Sequence, residues 1–170
     1  YAHRMLGRLV GIFFLIPLIY FYFSGKIRNK YLFLCFLTLF LIIFQGFVGW
    51  YMVKSGLTEN ITVSHFRLSL HLSIAFIIIS MIFWNILNVK KKSFKNFFLN
   101  SKKDYIFLFL IFLIFLQISM GAFVSGLDAG KIYQTWPLMD QNFFPGDVEI
   151  NRISNFLDLN NHGLVQFYHR

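Results

Sequence analysis

The chain has 170 residues and a formal net charge of +9, with 57% hydrophobic and only 14% charged residues. Soluble domains average about 25% charged residues and disordered chains need low hydrophobicity. The composition therefore excludes a disordered chain and argues against an ordinary soluble globule. The single cysteine, Cys35, excludes a disulfide framework and a cysteine-cluster metal site. A strongly basic chain raises nucleic acid as a partner, so the positions of the cations decide that question.

Four long stretches of the chain carry no Asp, Glu, Lys or Arg. Tyr31–Val53 and Tyr105–Leu127 contain 23 residues each and Leu68–Val89 contains 22, while Leu9–Gly25 reaches about 20 with the preceding turn. About 20 helical residues cross the roughly 30 Å hydrocarbon core of a bilayer. The sequence therefore predicts an all-α, polytopic membrane bundle. Its four transmembrane helices are expected at approximately 3–24, 31–53, 65–89 and 105–127.

The cations are distributed unequally between the two sides of the membrane that this topology predicts. The loops Gly25–Lys30 and Lys90–Asp104 hold 9 of the 16 Lys and Arg residues, whereas the other 7 are spread over much longer segments. By the positive-inside rule, the two loops face the cytoplasm or the matrix and residue 1 lies on the outer side. The positive charge is then a topology signal with some attraction to anionic lipid, and no nucleic acid is expected as a partner.

The segment after the fourth helix differs in composition from the rest of the chain. Residues 128–162 hold five of the seven acidic residues and two of the three prolines, which predicts an outer-side loop with a short surface helix around Ile150–Leu159. Residues 163–170 are predicted to start a fifth transmembrane helix, and we interpret the chain as an internal fragment of a longer protein. Residues 1–127 then hold the helices of an amino-terminal bundle and the first helix of a second bundle.

Three histidines, His3, His71 and His169, are predicted to lie within the outer ends of membrane helices. An imidazole at that depth is costly unless it is paired or ligates a metal, and no Cys or acidic residue accompanies these three. Imidazoles from two helices can occupy both axial positions of a haem iron, so haem ligation is the predicted role. The alternative is a hydrogen bond to a neighbouring helix. We expect His65 and His162, in or next to loops, to be solvated.

Arginines accompany the three histidines, either as sequence neighbours or four residues away on one helix face. A guanidinium presents a planar fork that suits carboxylates, and a haem carries two propionates. The sequence therefore predicts that these arginines bind the haem, with interfacial snorkelling of long cations as the alternative. They are Arg4, Arg8, Arg67 and Arg170.

A short internal repeat joins the two ends of the chain. The sequence Tyr-Ala-His-Arg at 1–4 recurs as Phe-Tyr-His-Arg at 167–170. Such self-similarity indicates a duplicated helical bundle, of which the chain would span most of one copy and the start of another.

Six motifs, in order along nearly the whole chain, carry a family resemblance, and the blocks at 45–57 and 121–139 are the most specific. They read HRMLGR at 3–8, QGFVGWYMVKSGL at 45–57, VSHFRL at 63–68 running into His71-Leu72, GAFVSGLDAG at 121–130, YQTWPLM at 133–139 and VQFYHR at 165–170. With these motifs the chain resembles the haem A synthase family. It is most similar to the proteobacterial and mitochondrial branch, which lacks the paired outer-loop cysteines of the other branch.

This resemblance implies a membrane protein of two similar four-helix bundles that oxidises a methyl group of haem O to a formyl group. The product, haem A, serves cytochrome c oxidase. The resemblance implies that His3 and His71 hold the substrate haem O and that His169 is one ligand of a haem b cofactor. The family's catalytic Glu would stand just before Tyr1, so no catalytic residue is expected within the chain. We expect residues 1–170 alone to be inactive.

The resemblance also implies a location in the bacterial inner membrane or the mitochondrial inner membrane. The expected partners are haem O synthase, an electron acceptor and membrane lipid, with a homo-oligomer left open. Two other functions fit the residues alone. One is a di-haem b-type electron-transfer cytochrome, against which the long loop at 128–161 argues. The other is a non-haem membrane scaffold or transporter, in which the histidines make polar helix contacts.

The unequal distribution of cations leads to a topology prediction. Reporter fusions at Arg28 and Ser93 should be located inside, and a fusion at Asp140 should be located outside, because Lys and Arg are retained on the inner side during insertion. Enzymatic reporters that are active on only one side of the membrane would measure this. The opposite pattern would contradict the predicted depth of the three histidines.

Overall fold

The structure, a computed structural model, describes residues 1–56, 63–90, 102–148 and 152–170. Four long helices occupy most of them: α1 (Ala2–Ser24), α2 (Asn29–Gly56), α3 (His65–Lys90) and α4 (Lys102–Gly126). Two short 3-10 helices follow at Ala129–Lys131 and Ile153–Leu157, and α5 spans His162–His169. No β-strand occurs in these described ranges.

The four long helices are each long and apolar enough to cross a membrane. This confirms the predicted all-α fold with four membrane spans. The surface helix expected around Ile150–Leu159 is a shorter 3-10 helix, Ile153–Leu157, and Ile150 lies outside the described residues. The lysines at 91, 92 and 95 and the end of the motif at 45–57 lie outside them as well. The grouping of the helices into two bundles stays a prediction.

The helices are apolar around their whole circumference because lipid, not water, is their solvent. Every residue from Tyr105 to Ile114 in α4 is exposed, with apolar side chains throughout. A helix that is hydrophobic all round is typical of a membrane span. The first helix ends at Ser24. The next residue, Gly25, caps it with a φ of 63°, in the left-handed region that favours glycine.

One compact unit comprises Tyr1–Tyr51 and Ile74–Asn100. Its core joins α2 to α3, and two polar contacts accompany it. The Tyr31 hydroxyl donates to the Asn88 carbonyl at 3.3 Å, and the Asn85 amide donates to the Cys35 sulfur at 3.3 Å. Interhelical polar contacts of this kind help helices to associate in lipid. The core consists of Val48, Ile74 and Ile78 with Leu41, Ile42 and Ile82 packed against them.

The second compact unit comprises Met52–Ser73 and Ser101–Arg170. Here α3 packs on α4 through small hydroxyl residues. The Ser69 hydroxyl donates to the Ser119 carbonyl at 3.3 Å, and the hydroxyls of Ser73 and Ser119 lie 3.2 Å apart. At the ends of the two helices, a Cβ placed on Gly126 would lie 2.7 Å from Cβ and 2.9 Å from Cα of His65. Small residues therefore allow the close approach of α3 and α4.

The connection between α4 and α5, which we call the long loop (residues 127–161), has a packed interior of its own. Its buried side chains include Met139, which is only 2% exposed, and Tyr133, which is 8% exposed. Burying such side chains stabilises the connection in the same way as a core. The other buried residues of the loop are Ala129, Pro145 and Val148.

Tight turns shape the middle of the long loop. The Thr135 hydroxyl donates to the Leu138 carbonyl at 2.9 Å and accepts the Asp140 N–H at 2.8 Å. Asp140 has a φ of 61°, in the left-handed region that Asp and Asn enter more readily than most residues. Within this turn, the Thr135 side chain therefore satisfies two backbone polar groups of the loop.

A phenol–carboxylate contact within the long loop lies next to the start of α5. The Tyr133 hydroxyl donates to the Asp147 carboxylate at 2.7 Å. Burial raises the pKa of the Tyr133 phenol, and the negative charge of Asp147 raises it further. The same carboxylate lies against Gly163, where any Cβ would overlap it. Gly163 therefore permits the loop to approach the first turn of α5.

The close approach at Gly126 generates a prediction about stability. Gly126→Ala should destabilise the full-length protein by about 1–3 kcal/mol, the usual cost of overpacking, because the new methyl group meets the backbone of His65. Gly46→Ala is the matched control, since nothing lies within 4 Å of a Cβ there. Unfolding of both variants in mixed micelles would measure the difference. Equal stability of the two variants would contradict the packing described for α3 and α4.

Candidate functional site

The predicted site residues fall into the two compact units. His3, Arg4 and Arg8 lie near the start of α1 in the first unit, where all three are exposed. His71 and His169 both belong to the second unit, together with the arginines that accompany them. The second unit therefore brings together two of the three histidines that we predicted as haem ligands.

His71 and His169 lie on helices that contact the same part of α4. Ser69 and Ser73, on either side of His71 in sequence, contact Ser119. The His169 ring lies against Gly121, two residues further along α4. Both histidines thus sit at the level of α4 residues 119–121.

The His169 imidazole is partly buried and lies against Gly121 of α4. A Cβ built on Gly121 would lie 3.1 Å from its Cε1 atom, so a glycine leaves the room that the ring occupies. The Nδ1 atom is buried and has no hydrogen-bond partner among the described residues. The backbone carbonyl of His169 accepts a hydrogen bond from the Gln117 amide at 2.7 Å. Contacts from α4 therefore hold both the ring and the main chain of His169.

The start of α5 is fixed by a cap. The Asn161 side chain accepts the Leu164 N–H at 2.8 Å, which satisfies one of the free N–H groups at the beginning of a helix. Gly163, Leu164 and Val165 are buried, so the first turn of this short helix packs into the second unit. Burial on this scale compensates for the marginal stability of a short isolated helix.

Gln166 is a buried amide whose oxygen and nitrogen are both used. It is 5% exposed. Its oxygen accepts the Tyr133 N–H at 3.0 Å, and its nitrogen donates to the carbonyls of Tyr133 at 2.8 Å and Gly130 at 3.4 Å. A buried polar side chain is tolerated when it is satisfied in this way. Gln166 therefore joins α5 to the long loop.

Arg170, predicted to bind a haem propionate, donates to carbonyl groups of the long loop. Its guanidinium lies 2.7 Å from the Tyr133 carbonyl, 2.9 Å from the Thr135 carbonyl and 3.3 Å from the Leu138 carbonyl. Hydrogen bonds from a charged donor are stronger than neutral ones. Contact with a propionate stays a prediction for Arg170, and its contact with the loop is an additional role.

Arg67 and His71 lie one turn apart on α3, as the sequence predicted. Both are partly buried. The Arg67 guanidinium donates to the Ser55 hydroxyl near the end of α2, so this arginine has a defined position. Its predicted role at a propionate stays a prediction, as does iron ligation by His71.

His65, which we expected to be solvated, is partly buried instead. Its ring lies 4.3 Å from the Phe66 ring and 5.6 Å from the Phe123 ring, between centroids. Its Nε2 atom is buried without a hydrogen-bond partner in the described part of the chain. The reason is the small Gly126, which lets α4 come close to the first residue of α3. His162, the first residue of α5, is exposed as expected.

Within the described ranges, no group of three or more His, Cys, Asp and Glu side chains could hold a metal ion. Axial ligation of a haem needs only one imidazole on each face of the ring, and it is therefore a different arrangement from such a cluster.

Three residues of the site were not singled out from the sequence: Gln166, Gly121 and Asp147. The sequence did contain a signal for Gln166. This residue lies directly before the segment 167–170, which repeats the segment 1–4. Gly121 stood in a quoted motif, but a glycine in a membrane helix is most often a general packing residue. Nothing in the sequence pairs Asp147 with Tyr133, because that contact forms only when the long loop folds.

The chain is similar to known proteins along its whole length. The family described as cytochrome oxidase assembly protein matches residues 1–170. Among relatives named heme A synthase, the protein of Pelagibacter ubique is 49% identical and that of Rickettsia bellii is 44% identical, each over 100% of this chain. The chain covers 50% and 51% of those relatives, so it spans about half their length. No solved structure matches it.

These similarities extend over every motif on which the resemblance was based, and they confirm it. The four helices of membrane-spanning length agree with the membrane fold that the resemblance implied, and the family match covers the same residues, 1–170. The chain belongs to the family of cytochrome oxidase assembly proteins.

Proposed function

We propose that the chain is part of a haem A synthase, a membrane oxidoreductase that converts a methyl group of haem O into the formyl group of haem A. The observation that carries this proposal is similarity over the whole chain to proteins named heme A synthase, at 49% identity for one relative. Because the chain spans about half of such relatives, the activity is proposed for the whole protein. Residues 1–170 alone are expected to be inactive.

The donor chemistry of the second unit fits a haem ligand. His169 has a buried Nδ1 without a partner among the described residues, and Gly121 leaves room beside its ring. Neutral imidazole is a common axial ligand of haem iron. We assign His169 to a haem b cofactor, and His3 and His71 to the substrate haem O, following the family resemblance. A bound haem b supplies one-electron transfer.

The arginines are proposed to hold haem propionates while the apolar helices exclude water. Arg67 is anchored by Ser55, one turn from His71, so a propionate contact there would orient the substrate haem. Arg170 presents more N–H donors than its contacts with the long loop use. Arg4 and Arg8 are exposed on α1 and would act beside His3. A guanidinium fork is suited to each of these contacts.

The proposed reaction needs partners that the chain does not contain. Converting a methyl group to a formyl group removes electrons and protons and adds an oxygen atom. We assign the oxygen to water and the electrons to an external acceptor. Haem O synthase would supply the substrate, and cytochrome c oxidase would receive the product. A homo-oligomer stays open as an expectation.

We further propose that the protein lies in a bacterial or mitochondrial inner membrane. Four helices of membrane-spanning length support the membrane location. The lysine-rich loops would face the cytoplasm or matrix, and residue 1 and the long loop would lie on the outer side. Haem would then bind toward the outer half of the membrane, at the level of the predicted histidine ligands.

Substitution of His71 in the full-length protein tests the proposed function. His71→Ala should lower retention of haem O and formation of haem A, because it removes an axial ligand. Arg67→Ala should lower haem retention less, because it removes a propionate contact and leaves the metal bond. His162→Ala is the matched control, an exposed histidine at the start of α5. Pyridine haemochrome spectra would measure haem content, and chromatography of extracted haem would measure haem A.

Each outcome separates the candidate functions. Unchanged haem content and activity in His71→Ala would show that the ligand assignment is wrong. A wild-type protein that contains haem but forms no haem A would be a b-type cytochrome. A wild-type protein without haem would be a scaffold or transporter.

A further inference from the structure

Gln166 of α5 and Arg170, the residue that follows α5, hold one segment of the long loop. This segment, residues 130–138, is called the strap. Gln166 makes three hydrogen bonds to the backbone of Gly130 and Tyr133. Arg170 makes three more to the carbonyls of Tyr133, Thr135 and Leu138. The strap and the last turn of α5 are therefore joined by six hydrogen bonds.

Gln166 is a neighbour of both His169 and Arg170 on the surface of the helix. Gln166 is three residues before His169 and four residues before Arg170, the C-cap residue of α5, and side chains at these spacings are neighbours on a helix surface. The Tyr133 carbonyl accepts from both Gln166 and Arg170. Rotation or sliding of α5 would break bonds to this single carbonyl from both side chains at once.

A second constraint on His169, in addition to the strap, comes from α4. Gln117 donates to the His169 carbonyl, and Gly121 provides the space for the imidazole ring. The ring itself has a buried Nδ1 without a partner in the described chain. A hydrogen bond at Nδ1 would normally fix the orientation of a ligating imidazole. The position of α5 is therefore a constraint on the orientation of the ring.

The chemistry of the strap contacts requires an amide at position 166. The oxygen of Gln166 accepts an N–H group, while its nitrogen donates to two carbonyls. A carboxylate has only acceptor atoms and would face those carbonyl oxygens without a proton. A protonated carboxylic acid could donate to one of them. The position is 5% exposed, so water cannot readily replace a lost bond.

We propose that Gln166 is a positioning residue for His169, and that its bonds to the strap set the orientation in which the imidazole meets haem iron. The inference rests on the proposed function, because it takes His169 as an iron ligand. Gln166 acts through the helix, by holding the last turn of α5 against the strap on one side while α4 holds it on the other.

The test uses the full-length protein with its haem and compares three variants. Gln166→Glu keeps the shape of the side chain but replaces the donor with a titratable group. Gln166→Met keeps similar length and apolar burial and removes all three bonds. Gln141→Glu is the matched control, because Gln141 is exposed in the same long loop. The readouts are the low-spin ferric signal in electron paramagnetic resonance and the haem content after gel filtration.

Gln166→Glu should show wild-type g-values near pH 5 and an altered signal near pH 9, roughly the range over which a buried carboxyl with a raised pKa loses its proton. The titratable and charged groups near the strap include Lys131, Tyr133, Asp147 and Arg170, and they are also present in the wild type and in Gln141→Glu. Neither of those proteins should show the change. Gln166→Met should have altered g-values at every pH and about tenfold weaker haem retention, the usual effect of losing an outer contact of a ligand.

The outcomes distinguish this inference from the proposed function. Wild-type g-values and haem content in Gln166→Met would overturn it, as would a pH-independent, wild-type signal in Gln166→Glu. His169→Ala serves as the reference for ligation. If His169→Ala keeps the wild-type low-spin signals, the ligand assignment fails and the inference fails with it. If His169→Ala loses one signal while both Gln166 variants keep it, only the positioning role is wrong.

Discussion

The described site depends on the hydrogen bonds that the Gln166 and Arg170 side chains make with the backbone of the long loop. A connection of this length carries many backbone carbonyls that need partners. Gln166 and Arg170 bond to four residues of the strap. As a result, the helix that carries His169 and the loop that covers it form one folded element. Loss of the amide at position 166 would leave several buried polar groups unsatisfied together.

Small residues complete this arrangement where helices and loop approach each other. Gly121 admits the His169 ring, Gly126 admits the first residue of α3, and Gly163 admits the Asp147 carboxylate. In lipid, helices gain little from burying apolar surface, so close packing and polar contacts decide how they associate. The serine contacts among Ser69, Ser73 and Ser119 are of the same kind. Glycine and serine therefore place the histidines, while the large apolar residues face lipid.

Much of the fold could be predicted from the sequence because its strongest signal is one of length and charge. Four charge-free stretches correspond to four helices of membrane-spanning length, since a bilayer imposes a minimum length on each. His71 could be selected by the same reasoning, because an imidazole within such a stretch is costly, and His3 and His169 because each lies in a predicted membrane helix. The ends of the helices were less predictable: α4 begins at Lys102, three residues before the apolar stretch from which its start was predicted.

The interior of the long loop could not be predicted, because its contacts join residues that are distant in the chain and follow no periodicity. Tyr133 meets Asp147 and Gln166 only after the loop folds over α5. His65 was expected in solvent because it follows a loop, yet the approach of Gly126 partly buries it. Arg170 was assigned to a propionate from its position beside His169, and its contacts with the strap depend on the same folding of the loop.

An experimental structure of the full-length protein with haem bound would test the central claim most directly. We expect the His169 imidazole to coordinate a haem iron while its ring stays against Gly121 and Gln166 stays bonded to Tyr133 and Gly130. A haem whose iron is held by other residues, with His169 turned away from it, would contradict the account. So would iron ligation by His169 in a structure where α5 has separated from residues 130–138.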